Sequence, residues 1–298
     1  MTLRTSGENS KNPGTQFING TIDIATDNAL LNIVSVHFTY VTAKTAKGSA
    51  NATFDTLQNI INGTLYNVME HGMDKATKLR IDSAVGLNEF YSNRSGADEL
   101  VSVKRNEGGF VHITQTLASD ENLRNTFKCD MIITGARRVE ADEEHNRAER
   151  VIVKGYVFDF RKALLPVEFT ALSNGAMDYF EGLEASDKNP CFTQVWGRQI
   201  SQTVVTRKVT ESAFGEPSIE ESTSTQRDFV LTGSLTEPYV WDDESTITAQ
   251  EFKTALQDRE VTVAAIKQRQ DEYRASQNAN AATANNVTTP ATASGFNF

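Results

Sequence analysis

Apolar and polar residues alternate along much of the chain, and an alternation with a period of two residues predicts β-strands. β-Branched and aromatic residues concentrate in the same segments, which strengthens the prediction. These segments are residues 21–42, 78–116, 127–139, 150–170, 192–210 and 227–232. Within the second of them, Glu107-Gly108-Gly109 has the composition of a hairpin turn, so we expect two strands there rather than one.

Three other segments space their apolar residues as a helix does. Residues 54–73 place theirs on one helical face, and residues 175–184 form a shorter stretch of the same kind. In the third, Thr248 and Glu251 form a capping-box sequence, and apolar residues follow at helical spacing. We therefore predict an internal amphipathic helix, a short helix and a long helix over residues 248–275.

These elements predict a mainly β (α+β) protein. No repeat of about 20–50 residues is visible, which argues against a solenoid or a propeller. We expect an OB-like small barrel with insertions, one internal amphipathic helix and a long C-terminal helix. The expected organisation is a disordered arm (residues 1–16), a β-rich OB-like nucleic-acid-binding body (17–235), an acidic segment with the long helix (236–275), and a disordered tail (276–298).

The charge is unevenly distributed along the chain. Its 298 residues carry a net charge of −10. Residues 211–260 alone hold three cations against twelve carboxylates, a net charge of −9. Phosphate contact needs local lysine and arginine, and the nearly balanced remainder can provide it. The acidic stretch either promotes solubility or competes with a polyanion for the same groove.

Neither a membrane span nor a secretion signal is visible in the sequence. No apolar run reaches the roughly 18 residues that a spanning helix needs. The first 14 residues are polar and lack the apolar core of a signal peptide. We therefore expect an intracellular protein that has no membrane partner.

The sequence offers little catalytic chemistry, and we expect a non-enzymatic protein without a cofactor. No phosphate-binding loop or dinucleotide fingerprint is present. Cys129 alternates with apolar residues and is expected to be buried, and Cys191 has no neighbouring histidine to activate it. The four histidines form no zinc pattern. Asp142-Glu143-Glu144-His145 is the best metal candidate, although a solvated hairpin tip explains it as well.

The most informative stretch is Arg150-Val-Ile-Val-Lys-Gly-Tyr-Val-Phe-Asp-Phe-Arg-Lys162. In a strand, its even positions place three aromatic residues and several cations on one face, while the odd positions are mostly small and β-branched. Single-stranded nucleic acid needs this combination, because bases stack on aromatic rings and cations neutralise phosphates. The candidate stacking residues are Tyr156, Phe158 and Phe160, and the candidate phosphate contacts are Arg150, Lys154, Lys162, Lys104 and Arg105.

An alternative interpretation is that this stretch belongs to the core of the protein. The three aromatic side chains are equally suited to packing under the helix of residues 54–73, since aromatic stripes commonly belong to a core. In that case the stretch has no role in binding. Between residues 101 and 162 there are eleven cations and ten carboxylates. A positive groove therefore depends on how the fold separates them.

The C-terminal tip, Gly295-Phe-Asn-Phe298, follows a long polar segment. Phe296 and Phe298 are suited to insertion into a pocket of a partner. The tip resembles that of bacterial single-stranded-DNA-binding proteins, which end in phenylalanine after a low-complexity linker. Those tips carry aspartate beside the phenylalanine, whereas this one carries Asn297. A tail without a function is the alternative.

Residues 104–273 resemble replication-associated single-stranded-DNA-binding proteins of tailed bacteriophages that infect Gram-positive bacteria. The resemblance is carried by residues 150–161 and by Lys104-Arg-Asn-Glu-Gly-Gly-Phe110, Ala176-Met-Asp-Tyr-Phe-Glu181, Asn189-Pro-Cys-Phe-Thr-Gln-Val-Trp-Gly197 and Glu237-Pro-Tyr-Val-Trp-Asp242. It implies an oligonucleotide-binding barrel, no catalysis and a role in coating phage DNA during replication or recombination. No binding residue is carried over from the family.

The leading hypothesis is a non-enzymatic protein that coats single-stranded DNA by base stacking and phosphate contacts, either as a monomer or as an oligomer. A recombination annealing protein is a close variant of it. One rival is a virion structural or assembly protein. Another is a metal-dependent DNA-processing enzyme that uses Asp142, Glu143 and Glu144.

Overall fold

Two five-stranded β-sheets follow one another along the chain in the computed structural model, which describes residues 1–285 except 95, 143, 144, 146, 244 and 245. The side chains of residues 202–207, 224, 226 and 278–285 are also outside the description. The mainly β fold predicted from the sequence is confirmed. In the described residues, no helix is both long and apolar enough to cross a membrane.

The N-terminal sheet has the strand order β1-β2-β3-β5-β4. Its elements are β1 (Thr2–Thr5), β2 (Gln16–Ala25), β3 (Ile33–Thr42), α1 (Ala52–Ile61), α2 (Val68–His71), β4 (Lys78–Ser92) and β5 (Glu99–Thr114). Neighbouring strands are antiparallel except β3 and β5, which are parallel where Val36 faces Asn106. The arm predicted for residues 1–16 therefore contains a strand, because Thr2–Thr5 pair with β2.

The second sheet closes into a barrel with the order β6-β7-β8-β10-β9 and returns from β9 to β6. A 3₁₀ turn (Glu121–Leu123) leads into it. Its elements are β6 (Thr126–Val139), β7 (Arg150–Phe158), β8 (Leu164–Ala171), α3 (Asn174–Gly182), β9 (Cys191–Thr210) and β10 (Ser218–Ser234). The third and fifth strands are parallel where Thr170 faces Val230, and α3 lies between the third and fourth strands. This arrangement is the OB-like barrel that the sequence predicts.

Both sheets have the same connectivity. In each, three consecutive strands form antiparallel neighbours, a helix follows the third strand, and the fifth strand lies parallel to the third. They differ in closure, since β6 pairs with β9 in the barrel whereas the N-terminal sheet is open between β1 and β4. Residues 2–234 thus form an open OB-like sheet followed by a closed OB-like barrel, and the boundary predicted at residue 17 falls within the first sheet.

Each sheet has its own apolar core. The barrel interior contains fully buried Met131, Val153 and Phe169, and α3 covers one end of it with Met177 and Phe180. The N-terminal core forms where α1 lays Phe54 and Leu57 against Ile18, Val36, Phe38 and Val111. Such burial stabilises a core by about 25 cal/mol for each Å² of apolar surface removed from water.

The internal amphipathic helix is shorter than the predicted residues 54–73. It begins at Ala52, where the Asn51 side chain accepts a hydrogen bond from the Thr53 N–H. It ends at Ile61, because Gly63 adopts a positive φ of 71° that continues the chain away from the helix. Residues 68–71 form the separate helix α2.

The turn predicted at Glu107-Gly108-Gly109 is wrong, because β5 continues from Glu99 to Thr114, with only a shift in its pairing register with β4 at these residues. Both glycines serve close packing instead. A Cβ on Gly108 would lie 2.2 Å from the Phe38 ring, and one on Gly109 would lie 2.1 Å from the Asp82 carbonyl oxygen. Glycine in a strand interior often marks such a close approach.

The long C-terminal helix, α4 (Ala249–Asn285), joins the two sheets. Its predicted capping box is present, with the Thr248 N–H donating to Glu251 and the Glu251 N–H donating to the Thr248 hydroxyl. Its 37 residues correspond to about 55 Å, so it continues through much of the segment predicted as a tail. Its first turns pack on the barrel, and later turns follow β4, the edge strand of the N-terminal sheet.

Two polar contacts hold α4 along β4. The Arg259 guanidinium donates to both carboxylate oxygens of Glu89, whose side chain is only 7% exposed. Further along, the Gln270 side chain accepts from the Tyr91 N–H at 2.9 Å and donates to the Tyr91 carbonyl at 2.6 Å. The helix thereby satisfies backbone groups at the sheet edge that would otherwise be open to pairing with another strand.

Gly155→Ala is expected to destabilise the barrel. A Cβ at this position would lie 2.2 Å from the Ile132 carbonyl oxygen on the neighbouring strand β6, so the two strands would have to separate. We expect a loss of about 3 kcal/mol in the free energy of unfolding, measured by urea denaturation. The control is Gly135→Ala, because a Cβ there meets nothing within 4 Å. Equal urea midpoints for the two variants would contradict this account.

Arg259→Ala is expected to cost about 3–5 kcal/mol of stability at pH 7, because it leaves the buried Glu89 carboxylate without its cation. Burial alone raises the pKa of Glu89, but hydrogen bonds from Arg259 and Ser102 and the Arg259 charge bring it below its ordinary 4.5. The stabilisation is therefore fully present above about pH 4.5 and lost as the pH falls through the folded pKa.

Urea denaturation at pH 7 and at pH 3 tests this pair. The difference between wild type and Arg259→Ala should shrink at the lower pH. The control is Arg80→Ala, which removes an ion pair to Asp82 whose side chains are 71% and 46% exposed, and should cost less than about 1 kcal/mol. A penalty for Arg259→Ala that does not depend on pH would overturn the assignment.

Candidate nucleic-acid interface

The strand β7 separates its side chains as the alternation predicts. Val151, Val153 and Val157 point into the barrel and are buried. The alternate residues Arg150, Ile152, Lys154, Tyr156 and Phe158 therefore lie on the outer face. The structure thus brings five residues of the stretch into one row, of which four were predicted as nucleic-acid contacts.

One end of this row is cationic, and we call it the cationic patch: Arg137, Arg150, Ile152 and Lys154. Arg137 on β6 faces Ile152 directly, with Arg150 and Lys154 on either side of it. Glu168 lies opposite Lys154 on β8. Among the described residues, none of these three cations is within ion-pair distance of a carboxylate.

Two projections flank the cationic patch. The first is the loop of residues 140–149 between β6 and β7, and the second is the two-stranded arm formed where β9 and β10 continue beyond the barrel. The arm pairs Ser201 with Arg227 at its base and Thr210 with Ser218 near its end, and Phe214 at its tip is 95% exposed. An ion pair of 3.3 Å between Arg147 and Asp228 joins the loop to the base of the arm.

The other end of the β7 row is covered by the chain itself. We call the covering residues 239–243 and 246–256 the C-terminal cover. Phe252 meets the Tyr156 ring edge-on, with 5.9 Å between ring centroids, and Phe158 packs into the same cluster. Trp241 lies between Phe192 and Phe252, at centroid distances of 5.4 and 5.9 Å.

The cover packs against part of the aromatic stretch. Tyr156 and Phe158 are half-buried under α4, not under the internal helix of residues 52–61. The cover also carries acidic residues of the net-negative segment, so it combines apolar contacts with negative charge on the outer face of the barrel.

Phe160 and Lys162 do not lie on the strand face, so this part of the predicted row is wrong. The strand ends at Phe158, because the Asp159 carboxylate accepts hydrogen bonds from the N–H groups of Arg161 and Ala163 and turns the chain. Lys162 adopts a positive φ of 63° in this turn. Phe160 is 84% exposed, with the Arg161 guanidinium 5.0 Å from its ring centroid.

Lys162 lies close to the acidic start of α4. Hydrogen bonds from Thr248 lower the pKa of the Glu251 carboxyl, and the Lys162 charge adds to that effect. The cover therefore brings a carboxylate towards a cation that was predicted to meet phosphate.

Lys104 and Arg105 also lie away from the cationic patch, on β5 of the N-terminal sheet. The Lys104 ammonium donates to the Glu168 carbonyl and lies 5.8 and 5.5 Å from the ring centroids of Phe169 and Phe229. Burial lowers its pKa, and nearby carboxylates oppose that shift. Arg105 is paired with Glu107 at 2.5 Å. Lys104 therefore joins the two sheets, whereas Arg105 is paired within its own strand.

The remaining candidates are the two cysteines, the acidic loop at Asp142 and the C-terminal tip. Burial, together with the Asp130 charge, raises the pKa of the Cys129 thiol to about 12, and burial also raises that of Cys191. Asp142 accepts a hydrogen bond from the His145 N–H, whereas Glu143 and Glu144 lie outside the described residues. In the described part of the chain, no three metal-binding side chains are grouped together. Phe296 and Phe298 also lie outside that part.

Arg137 is the member of the cationic patch that alternation alone does not assign to the outer face. A bulge between Ile133 and Gly135 shifts the phase of β6, which places Arg137 on the outer face beside β7. The glycine within a strand pattern was the available signal. The sequence also contains a signal for the C-terminal cover, which is the aromatic run Tyr239-Val-Trp241 shortly before the capping box.

Phe252→Ala is expected to loosen the C-terminal cover. The side chain is 8% exposed, and its loss should cost about 3 kcal/mol, which corresponds to roughly 100-fold faster amide exchange in the first turns of α4. Hydrogen–deuterium exchange of residues 249–256 measures the effect. Val261→Ala is the control, since Val261 on the same helix is 69% exposed. Unchanged exchange in Phe252→Ala would show that the cover is held by other contacts.

The chain belongs to the YorF family, since the model of that family matches residues 3–272. The match includes both sheets and most of α4. No curated protein and no solved structure gives a significant match.

Proposed function

We propose that this protein binds single-stranded DNA without catalysis and coats it during phage DNA replication or recombination. The observation that carries the proposal is the cationic patch on the second strand of an OB-like barrel. Barrels of this topology bind oligonucleotides on the face of their second and third strands, between the loops that join strands one and two and strands four and five. The cationic patch has this position, flanked by the 140–149 loop and the β9–β10 arm.

The chemistry of the patch fits a nucleic-acid strand. Arg137, Arg150 and Lys154 provide three cations along a single strand pair, with the apolar Ile152 between them. Phosphates are expected to meet the cations, and bases to stack on the exposed part of Tyr156. Each such stack contributes about 1–3 kcal/mol.

The C-terminal cover limits how far a strand extends along β7. Because Phe252 and Trp241 occupy the space beside Tyr156 and Phe158, DNA and the cover compete for the aromatic end of the row. We infer that DNA first contacts the uncovered cationic patch and gains the two aromatic residues when the cover moves.

The YorF family is of phage origin, which supports a role on phage DNA in a host cytoplasm. The tip with Phe296 and Phe298 is our proposed contact for phage or host replication proteins.

The double variant Arg150→Glu with Lys154→Glu is expected to bind oligo(dT) at least about tenfold more weakly than wild type. Removing two phosphate contacts should also reduce the slope of log affinity against log salt by about 1.4, because each contact with a single strand releases about 0.7 counterion. Fluorescence anisotropy at several salt concentrations, with duplex DNA as competitor, measures both quantities. The control is Lys75→Glu with Lys188→Glu, which makes the same change in net charge at exposed lysines away from the patch.

Absence of binding by wild type at low salt would overturn the proposed function. Detection of the protein in purified particles would then favour a virion structural or assembly role. Mg²⁺-dependent cleavage of the oligonucleotide, lost when Asp142, Glu143 and Glu144 are replaced, would instead identify a DNA-processing enzyme.

A further inference from the structure

A groove opens on the N-terminal sheet, far along the chain from the cationic patch. Two loops form its walls, residues 12–16 before β2 and residues 42–46 after β3, and Tyr40 lies between them. Its volume is about 710 Å³. Half of the lining residues are asparagine, threonine or glutamine, and Lys44 lies at one side. We call it the N-terminal groove.

Two aromatic residues, Phe17 and Tyr40, pack against each other at the N-terminal groove. The rings of Phe17 and Tyr40 lie 4.6 Å apart between centroids, inclined at 35°. Tyr40 is 45% exposed, and its hydroxyl lies 3.4 Å from that of Ser6. Phe17 supports the tyrosine from one side, so the outward side of the Tyr40 ring is a rigid platform on which a base can stack.

The charge around the groove is opposite to that of the chain as a whole. Residues 1–22 and 38–52 contain four cations and one carboxylate, in a protein of net charge −10. Arg4 faces Phe17 across the β1–β2 pair, and Lys44 lines the groove. Lys11 and Lys47 are adjacent in sequence to the two wall loops. Within the described residues, none of the four is within ion-pair distance of a carboxylate.

The position of the groove corresponds to that of the cationic patch in the barrel. Both sheets share one strand order, and in that order Phe17 and Tyr40 lie on the second and third strands. The loop with Asn12 and Thr15 joins the first strand to the second. The same position in the shared strand order therefore carries exposed cations in both sheets, although the two sequences differ.

We propose that the N-terminal groove is a second binding site for single-stranded nucleic acid, with Tyr40 as the base-stacking residue and Arg4 and Lys44 as phosphate contacts. This inference rests on the proposed function and extends it, since one strand would then engage both sheets. A peptide partner is less well matched, because the groove combines a cation excess with an exposed ring and few apolar side chains.

Tyr40→Ala and Lys44→Glu are the test variants, with Tyr66→Ala and Lys75→Glu as matched controls. Tyr66 is 52% exposed and stacks on His71, outside the groove, and Lys75 is exposed. Full-length protein is titrated with oligo(dT) long enough to span both sheets. Each test variant should bind about tenfold more weakly than its control, because one base stack or one phosphate contact is lost.

Photo-crosslinking locates the contact independently of affinity. Oligo(dT) containing 5-iodouracil is irradiated with wild-type protein, and crosslinked peptides are identified by mass spectrometry. The proposal expects a peptide containing Phe17 or Tyr40, in addition to one from β7. Loss of the groove crosslink in Tyr40→Ala, with the β7 crosslink retained, would support two sites.

The outcomes separate this inference from the proposed function. Binding that is weakened by Arg150→Glu with Lys154→Glu but not by Tyr40→Ala or Lys44→Glu, without a groove crosslink, overturns the second site and leaves the barrel site in place. No binding by wild type overturns both. A groove crosslink without any effect of the β7 variants would retain the N-terminal site and overturn the barrel site.

Discussion

Closure of the barrel between β6 and β9 is the constraint on which the remaining structure depends. A closed wall has only an inside and an outside, and the inside of a five-stranded barrel is narrow. The inward positions of β7 hold small and β-branched residues such as Val151 and Val153, which pack beside the larger Met131 and Phe169 of the neighbouring strands, and Gly155 allows β6 to approach closely. Every bulky or charged residue of β7 is therefore placed on the outer face, which gathers Arg150, Lys154 and Tyr156 into one row.

The outer face is shared between solvent and the rest of the chain. The C-terminal cover occupies the aromatic end, and the cationic patch is the part of the β7 row that the cover leaves open. The N-terminal sheet contacts the barrel elsewhere, where Lys104 lies over the rings of the interior residues Phe169 and Phe229. The helix α4 continues from the cover to the Glu89–Arg259 pair on the N-terminal sheet. Displacement of the cover would therefore also affect the contacts between α4 and that sheet.

The common strand order of the two sheets gives the proposed function a physical rationale. A single barrel offers a short binding face, whereas two units along one chain lengthen the path of a bound strand and raise affinity through effective concentration. The N-terminal sheet does not close, and α4 lies along its free β4 edge, so the helix provides the protection that closure provides in the barrel.

The sequence alone determined what depends on neighbouring residues: the alternation of β7, the capping box of α4, the start of the internal helix and the class of the fold. The tertiary structure decided what depends on distant partners. Gly108 and Gly109 read as a turn but fit beneath Phe38 and beside Asp82, and Lys104 reads as a phosphate contact but is buried against Phe169. Phe158 and Phe160 are two positions apart in the sequence, yet α4 covers Phe158, whereas Phe160 is exposed at a turn. Periodicity fixes which side of a strand a residue faces, but only the packing of remote segments determines whether that side meets solvent, since such contacts leave no local pattern.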